Sequence, residues 1–453
     1  NEKANYLQLK FNHTAPNTFG IGTKVYAYNN GALQFKELYT VRGFQASSEP
    51  MIHFGFGKTT QIDSLKIVWP NKSYQTLKDV ATNQVLTIRP KDTKPFSYAS
   101  LQSKNKPLFQ KVADNLGINF KHAEDNYTDF NRQKLIPYQV SDLGPATAVG
   151  DLNNDGKTDI YFGGSKFKTS KVYIQTDSSY VEKKMVILSK DAKNEDVVAI
   201  ITDLNNDAKN DLLIGTGGAD FYNKSIPLLD TYYTQIDTSF VKQELPKYFE
   251  NAAVLKANDF DNDGDLDIFV GNNTVSNDFG NTPNSYILEN NNGAFSILEK
   301  QPFQKIGMVK DAIWEDYNKD GLTDLIIVGE WMAPKFFKNN NGNFEEENVI
   351  ADHLRGLWQQ IAPFDIDNDG DLDYLLGNWG TNSKFKASKE NPLRMYYADF
   401  DGNGSTETIV CNYKNGAYYP LLSLNELASQ IVSLRKKFTT YKSFAGKSIE
   451  EIF

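Results

Sequence analysis

Apolar stretches alternate with short acidic segments along most of the chain. An apolar run at residues 197–202 precedes one acidic segment, and runs at residues 268–271 and 325–329 follow two others. Short runs rich in Val, Ile and Phe, bounded by Asp, Asn and Gly, are typical of β-strands joined by tight turns. The pattern therefore predicts a strand, a tight acidic loop and a second strand, repeated along the chain.

Polar turns of a second kind lie further along these units. Residues 289–295 and 338–344 place Asn-Asn-Asn-Gly before a Phe-containing strand, and Asn and Gly supply the positive φ that a hairpin turn needs. Each unit then holds about four strands in about 50 residues, which is the size and content of a β-propeller blade. The fifth unit is shorter, so the sixth acidic loop can lie inside a blade instead of opening a new one.

The first 90 residues show a different pattern. They lack the acidic loops and contain short alternating segments at residues 6–10, 24–28, 65–69 and 85–88. Such segments predict a small β-sandwich or barrel-like domain. Residues 91–107 are polar and hold two prolines, so we expect a linker there, with the repeats occupying residues 108–422.

The last 31 residues, 423–453, have a helical pattern. Ser423 and Glu426 have the spacing of a capping box, and so do Ser448 and Glu451. Apolar residues after the first box fall on one helical face: Leu424, Leu427, Ile431, Leu434 and Phe438. We predict a helical insertion here. Because the second box begins just before Phe453, we expect the native polypeptide to continue, the alternative being a short terminal turn.

Composition restricts the class of protein. The chain has 453 residues, enough for two or three domains, with 40% hydrophobic and 23% charged residues, a normal balance for a globular protein. No apolar run is long enough to span a membrane. Cys411 is the only cysteine, which excludes an intrachain disulfide. The net charge of -9 argues against a nucleic-acid partner.

The acidic segments share a nine-residue pattern with acidic or Asn residues at positions 1, 3, 5 and 9, and usually Gly at position 6. Side-chain oxygens at alternate positions, with a backbone carbonyl at position 7, match the oxygen ligands that Ca²⁺ prefers, whereas Mg²⁺ tolerates such irregular cages poorly. The predicted ligands are Asp151, Asn153, Asp155 and Asp159; Asp203, Asn205, Asp207 and Asp211; Asp259, Asp261, Asp263 and Asp267; Asp316, Asn318, Asp320 and Asp324; Asp365, Asp367, Asp369 and Asp373; and Asp399, Asp401, Asn403 and Glu407.

We expect about five or six bound Ca²⁺ ions. Because each ion adds two positive charges, six ions would change the net charge from -9 to +3. The acidity would then belong to internal metal sites and not to a surface for basic partners. The alternative is a set of metal-free Asx-turns, and the second loop fits the calcium pattern least, since Ala208 replaces its glycine.

Residues 5–90 resemble the ASPIC/UnbV domain in the glycine pair Gly20 and Gly22, in the run 53–57 (His-Phe-Gly-Phe-Gly) and in Trp69-Pro70. Thr23 and Phe56 depart from the Ala and Leu that are usual in that family. Residues 108–453 resemble FG-GAP/VCBS repeats in their Asp-rich loops and Gly-ending strands.

The resemblance implies an all-β protein: a small β-sandwich or barrel-like domain, then a calcium-binding β-propeller of seven blades, whose last part can be missing from this sequence. It also implies an extracellular or cell-surface location, attached to the outer membrane of a Gram-negative bacterium, as in large multi-repeat proteins of Bacteroidota.

The sequence motifs indicate the function of the chain less specifically than its fold. The four histidines are scattered, and the chain has no HExxH or GxSxG motif. Cys411 follows apolar residues, which favours a buried thiol over a nucleophile. We therefore expect a non-catalytic protein-interaction or scaffold module, an accessory subunit of an outer-membrane assembly. The alternatives are a glycan-binding module, with Trp331 or Trp379 stacking on sugars, or a polysaccharide-degrading enzyme on a propeller.

Overall fold

Antiparallel strands make up most of the regular secondary structure of the chain. The computed structural model describes residues 4–41, 43–101, 108–109, 111–112, 116–222, 224–237, 239–350, 354–380 and 382–453. The chain divides into two compact units, Asn1–Lys111 and Val112–Phe453.

The first unit is built from two sheets on one core. Its strands are β1 (Asn5–Phe11), β2 (Lys24–Asn29), β3 (Ala32–Glu37), β4 (Met51–Gly57), β5 (Gln61–Val68), β6 (Ser73–Ala81), β7 (Gln84–Ile88) and β8 (Lys94–Pro95). One sheet has the order β4-β1-β7, with β1 and β7 parallel, and the other has the order β3-β2-β5-β6-β8.

Alternation along the strands creates the core of this unit. Leu7, Leu9 and Phe11 of β1 are buried, as are Ile67 and Trp69 from the other sheet. Successive side chains on a strand point to opposite faces, so every second residue of β1 faces the other sheet. The segment predicted as a linker begins inside this unit, because β8 pairs with β6 and Phe96 is buried. Residues 102–107 of that segment lie outside the described residues.

The second unit contains a series of four-stranded antiparallel sheets. Sheet one is β9 (Thr147–Gly150), β10 (Asp159–Phe162), β11 (Lys171–Gln175) and β12 (Tyr180–Lys183); sheet two is β13 (Asp196–Thr202), β14 (Asp211–Thr216), β15 (Thr231–Ile236) and β16 (Ser239–Gln243); sheet three is β17 (Asn251–Asn258), β18 (Asp267–Thr274), β19 (Tyr286–Asn291) and β20 (Ala294–Ile297); sheet four is β21 (Met308–Glu315), β22 (Asp324–Met332), β23 (Lys335–Asn340) and β24 (Asn343–Glu347). In each, strands adjacent in sequence pair with one another.

These sheets pack face to face in chain order. Leu212 and Ile214 of β14 share a core with sheet one, whereas Leu213 between them shares a core with sheet three. β18 repeats the arrangement, with Ile268 in the core shared with sheet two and Phe269 in the core shared with sheet four. The second strand of sheets two, three and four is therefore buried on both faces, which explains its continuous apolar sequence.

The fifth sheet is shorter. β25 (Gly356–Phe364) and β26 (Asp373–Asn378) form a hairpin that pairs with the end of β22 and packs on sheet four through Ile361. Its other face is exposed: Leu375 is 67% exposed, although Leu213 at the equivalent position of sheet two is 0% exposed. Ile366 is 66% exposed, against 1% for Leu204 in the same comparison.

The sixth acidic loop lies in a separate three-stranded sheet of β27 (Arg394–Ala398), β28 (Glu407–Lys414) and β29 (Ala417–Pro420). The remaining elements are the short helices α1 (Val186–Ser189), α2 (Leu424–Gln430), α3 (Leu434–Lys437), α4 (Tyr441–Phe444) and α5 (Ile449–Ile452), with 3₁₀ turns at Tyr98–Leu101, Asp129–Asn131 and Ile226–Leu228.

The helical region follows its predicted caps but not one continuous helix. Ser423 and Ser448 both form the predicted capping boxes. The apolar pattern predicts one helical face through Phe438. The observed helix ends after Gln430, because Ile431 leaves the helical conformation (φ -88°, ψ 79°). The apolar residues are nevertheless all buried in one cluster with Ile409 and Cys411 of β28. Burial against this sheet outweighs the regularity of the helix.

Candidate functional site

The first carboxylate of each acidic loop organises the backbone of that loop. In the first loop, Asp151 Oδ1 accepts from the N–H of Asp155 at 3.2 Å and Oδ2 accepts from the N–H of Gly156 at 2.7 Å. A contact from the residue at position 6 to the first carboxylate recurs in all six loops. These N–H groups hold the pKa of Asp151 below its ordinary value, although partial burial acts in the opposite direction.

The loop conformation needs left-handed backbone at positions 4 and 6. In the third loop, Asn262 has φ +62° and Gly264 has φ +94°. Asn and Gly adopt this region at low cost, which explains the recurrence of these residue types. Ala208 in the second loop has φ +64° despite its Cβ. The second loop therefore has the same shape as the others and carries backbone strain at that position.

The last carboxylate of the loop is buried between strands. Asp159, Asp211, Asp267, Asp324 and Glu407 are each no more than 1% exposed, whereas Asp373 on the open fifth sheet is exposed. In sheet three, Asp267 Oδ1 accepts from the N–H of Asn290 on β19 at 2.8 Å. Burial raises the pKa of Asp267 to about 7 and that of Asp324 to about 6, and the other loop carboxylates add to both shifts.

Three of the loops bring three carboxylates together. Among the described residues, carboxylate oxygens lie within 4.8 Å of one another in three groups: Asp259, Asp261 and Asp263; Asp365, Asp367 and Asp373; and Asp399, Asp401 and Glu407. These are the loops with Asp at position 3; the other three have Asn there, whose amide oxygen is also a calcium ligand.

Orphaned oxygens in the same three loops fit a cation. Asp267 Oδ2, Asp365 Oδ1 and Asp401 Oδ1 are buried atoms without a hydrogen-bond partner. A buried carboxylate oxygen without a partner is costly unless a cation satisfies it. Clustered carboxylates with unsatisfied oxygens are the donor set that Ca²⁺ requires, so the residues present fit the predicted metal. The contact from position 6 to the first carboxylate is common to all six loops, which contain the 24 predicted ligands, whereas three carboxylates cluster in three of these loops among the described residues.

Neighbouring loops lie side by side. Asn210 Nδ2 donates to the carbonyl of Asp151 at 2.9 Å, and Asn206 donates to Asp265 of the third loop. Lys319 of the fourth loop pairs with Asp371 of the fifth. The first three acidic loops are therefore joined in series, and the fourth is joined to the fifth, so a metal in one of these loops would stiffen an element that contacts a neighbouring loop.

A second polar group lies where the sheets meet the segment before β9. Tyr138 Oη donates to Glu330 Oε2 at 2.8 Å and accepts from Trp331 Nε1 at 3.0 Å. Gln359 Nε2 donates to the other Glu330 oxygen at 2.9 Å. Trp379, one of the tryptophans that the sequence nominated for sugar stacking, lies 5.0 Å from the Tyr138 ring. Sequence analysis missed Tyr138 and Glu330, because their proximity arises from residues 192 positions apart.

The other candidate residues have structural surroundings. Trp314 stacks on Phe260 and donates to the carbonyl of Lys256, and Trp358 packs between sheets four and five. Cys411 is fully buried, as predicted, and burial raises the pKa of its thiol to about 12. Within the described part of the chain, no helix has the length and apolar character needed to cross a membrane.

Comparison with known families and structures follows the division of the chain. Residues 13–95 match the family model described as ASPIC and UnbV, and residues 151–214, 259–327 and 316–376 match the model described as FG-GAP-like repeat. The matches include the first five acidic loops and end before the sixth. No curated protein is significantly similar in sequence.

One similar solved structure is a protein from Bifidobacterium bifidum s17 that is provisionally assigned as an exo-beta-1,3-galactanase. It is 12% identical, with a TM-score of 0.29, over 61% of this chain and 90% of that one. A likeness this distant carries no functional argument. The family matches do agree with the loops and sheets described above: the chain is an all-β protein that joins an ASPIC/UnbV domain to FG-GAP-like repeats.

Proposed function

We propose that this chain is a non-catalytic, calcium-stabilised surface protein whose repeat sheets are blades of a β-propeller and serve as a protein-interaction or scaffold module. FG-GAP-like repeats suggest a protein-interaction module and are typical of extracellular proteins. The finer proposal is an accessory subunit of an outer-membrane assembly in a Gram-negative bacterium. The observation that carries the calcium part is the recurrence of one loop geometry with orphaned carboxylate oxygens.

The propeller follows from the way the sheets repeat. The first strands of successive sheets contact one another, from β9 through β13, β17 and β21 to β25. The faces of the sheets pack in the same order, which is the arrangement of blades around an axis. Leu375 and Ile366 lie at positions that the next sheet buries elsewhere in the series. We infer that a further sheet covers them in the complete propeller.

Calcium would act as a structural element in this account. The residues at positions 1, 3, 5 and 9, with the carbonyl at position 7, would hold each ion. The positive charge of the ion would neutralise carboxylates that otherwise repel one another. The bound metal stabilises the folded state by linkage, since the unfolded chain lacks the sites. Extracellular calcium is abundant enough to fill sites of modest affinity.

The experiment is a pull-down from an outer-membrane fraction of the source bacterium, with and without EDTA, read by mass spectrometry. A stoichiometric partner that is lost on chelation supports the scaffold proposal. A second test that does not depend on EDTA uses a chain with Asp259→Asn, Asp365→Asn and Asp399→Asn, the first positions of the third, fifth and sixth loops. This chain should lose the partner even in calcium. If no partner is captured in either condition and a glycan array gives a specific signal, the scaffold proposal is wrong.

A further inference from the structure

A cavity of about 350 Å³ lies beside Glu330 and Trp331 in the second unit. Its wall also includes Met308, Met395 and Tyr396, with Gly280, Thr282, Gly307, Leu393 and Arg394 completing the lining. Cavities of this size hold small ligands or a single side chain. The wall is apolar and aromatic apart from a few polar groups, and it contains none of the predicted calcium ligands.

Glu330 brings a buried carboxylate into the wall of this cavity. The residue is 2% exposed, and both carboxylate oxygens are bonded to neutral donors, the hydroxyl of Tyr138 and the amide of Gln359. Among the described residues, Glu330 forms no ion pair. A buried carboxylate is retained at a cost unless a cation approaches it, and hydrogen bonds from neutral groups compensate only part of that cost.

Three of the four cations that line the cavity and the adjacent groove are engaged elsewhere, and the fourth, Arg355 in the groove, is exposed. Arg394 lines the cavity, but its guanidinium lies over the ring of Tyr418, 4.2 Å from the centroid. Lys305 of the adjacent groove donates to the carbonyl of Thr282, and Lys335 pairs with Glu346. The charge of Glu330 is therefore left to a group that enters the cavity from outside.

Trp331 is held in the wall by a strained backbone. Its φ is +61°, a conformation that bulky side chains rarely adopt. Such strain persists only where the surroundings enforce it. Here Tyr138 fixes the indole through a 3.0 Å hydrogen bond, and the side chain packs with Met308 and Phe279. An observed outlier of this kind, beside a cavity, points to a binding role for the ring.

We propose that this cavity binds a lysine or arginine side chain of a partner protein, with Glu330 receiving the positive charge and Trp331 and Tyr396 forming the aromatic wall. Aromatic faces attract organic cations, and thioethers adapt to their alkyl portions. A metal ion is a poor fit, because the lining offers one carboxylate, together with the cationic Arg394, among mainly apolar side chains, and hard cations need several oxygens. The identity of the partner group rests on the proposed interaction function, whereas the charge and shape of the cavity do not.

The test uses the whole chain in calcium and four small probes. Binding of Nα-acetyl-lysine methylamide is measured by NMR line broadening or calorimetry against Nα-acetyl-norleucine methylamide, which keeps the alkyl chain and lacks the ammonium group. The arginine analogue and free lysine are measured alongside. We expect the lysine or arginine probe to bind at least about tenfold more tightly than the norleucine probe, because a charge meeting a buried partner dominates such contacts.

Two variants assign the binding to this cavity. Glu330→Gln removes the charge and should reduce binding of the cationic probe at least about tenfold, while Glu299→Gln, an exposed residue after β20, should leave it unchanged. If Glu330→Gln fails to fold, Trp331→Gly is the second variant, since glycine suits a φ of +61° and removes the aromatic wall. It should also lose the cationic probe.

Three results overturn the proposal. They are equal or absent binding of the lysine, arginine and norleucine probes, unchanged binding by folded Glu330→Gln, and much tighter binding of free lysine than of the blocked probes, which would indicate a small metabolite. None of these bears on the membrane pull-down, so failure of the cavity and failure of the scaffold proposal are distinguishable.

Discussion

Leucine-to-alanine substitutions at two equivalent positions give very different expected losses of stability. Leu213 and Leu375 both lie two residues after the ninth position of an acidic loop. Leu213 is 0% exposed and packs in the core shared with sheet three. Leu375 is 67% exposed. The pair therefore isolates the contribution of the next sheet with residue type and repeat position held constant.

The expected magnitudes follow from burial. Leu213→Ala removes a fully buried side chain and leaves a cavity, which costs about 3–5 kcal/mol of unfolding free energy. Leu375→Ala removes a side chain that buries only about a third of its surface, so we expect a loss below about 1 kcal/mol. The difference should exceed about 2 kcal/mol.

Urea unfolding in calcium, followed by tryptophan fluorescence, measures the difference. Trp314, Trp331, Trp358 and Trp379 lie in the second unit and only Trp69 lies in the first, so the signal reports mainly on the repeats. A loss of 3 kcal/mol shifts the midpoint by on the order of 1 M urea. Equal losses for the two variants, at unchanged slope, would refute the assignment of the fifth sheet as a blade with one open face.

Four further substitutions test the loop geometry, a buried carboxyl group and a predicted calcium ligand. Ala208→Gly should raise the free energy of unfolding by about 0.5–1 kcal/mol in thermal unfolding, because glycine relieves the strain of a positive φ, and Gly264→Ala should lower it. A loss for Ala208→Gly together with a gain for Gly264→Ala would contradict the loop geometry. Glu195→Gln should reduce the fall in stability between about pH 5 and pH 8, because burial and the nearby Glu124 raise the pKa of Glu195 to about 8. The wild-type side chain contributes stability that is complete below its ordinary pKa of 4.5 and is lost as the pH rises to about 8, by at most about 1.4 kcal/mol per pH unit. A pH profile of stability that is the same in wild type and variant would contradict this. Asp267→Asn should leave metal-free stability at pH 8 equal or higher, because the folded carboxyl has a pKa of about 7, yet should weaken the stabilisation by calcium; a lower metal-free melting temperature would contradict it.

Local patterns predicted the repeated elements well. The hairpin turns expected at 289–295 and 338–344 occur between β19 and β20 and between β23 and β24, with positive φ at Asn292 and Asn341. The strands flanking the acidic loops also occur as predicted, and the family matches confirm the resemblance. These features depend on residues close in sequence, whose conformational preferences the sequence shows directly.

Features that depend on distant residues were not predictable. The pairing of Glu330 with Tyr138 joins segments far apart in sequence, and the strain at Trp331 follows from that packing. Leu375 has the sequence surroundings of a core residue, and only the absence of a covering sheet among the described residues makes it exposed. The interruption after Gln430 likewise reflects packing of the short helices on β28. In each case tertiary context overrides local pattern.

Calcium binding is the central claim, and titration calorimetry on the chain after EDTA treatment and dialysis tests it most directly. The account predicts about five or six calcium ions per chain, with a melting temperature that rises as the sites fill. At a hundredfold excess over its dissociation constant each site would add about 2.7 kcal/mol to the free energy of unfolding. Absence of calcium binding, with the same melting temperature in calcium and in EDTA, would contradict the account and leave the acidic loops as metal-free turns.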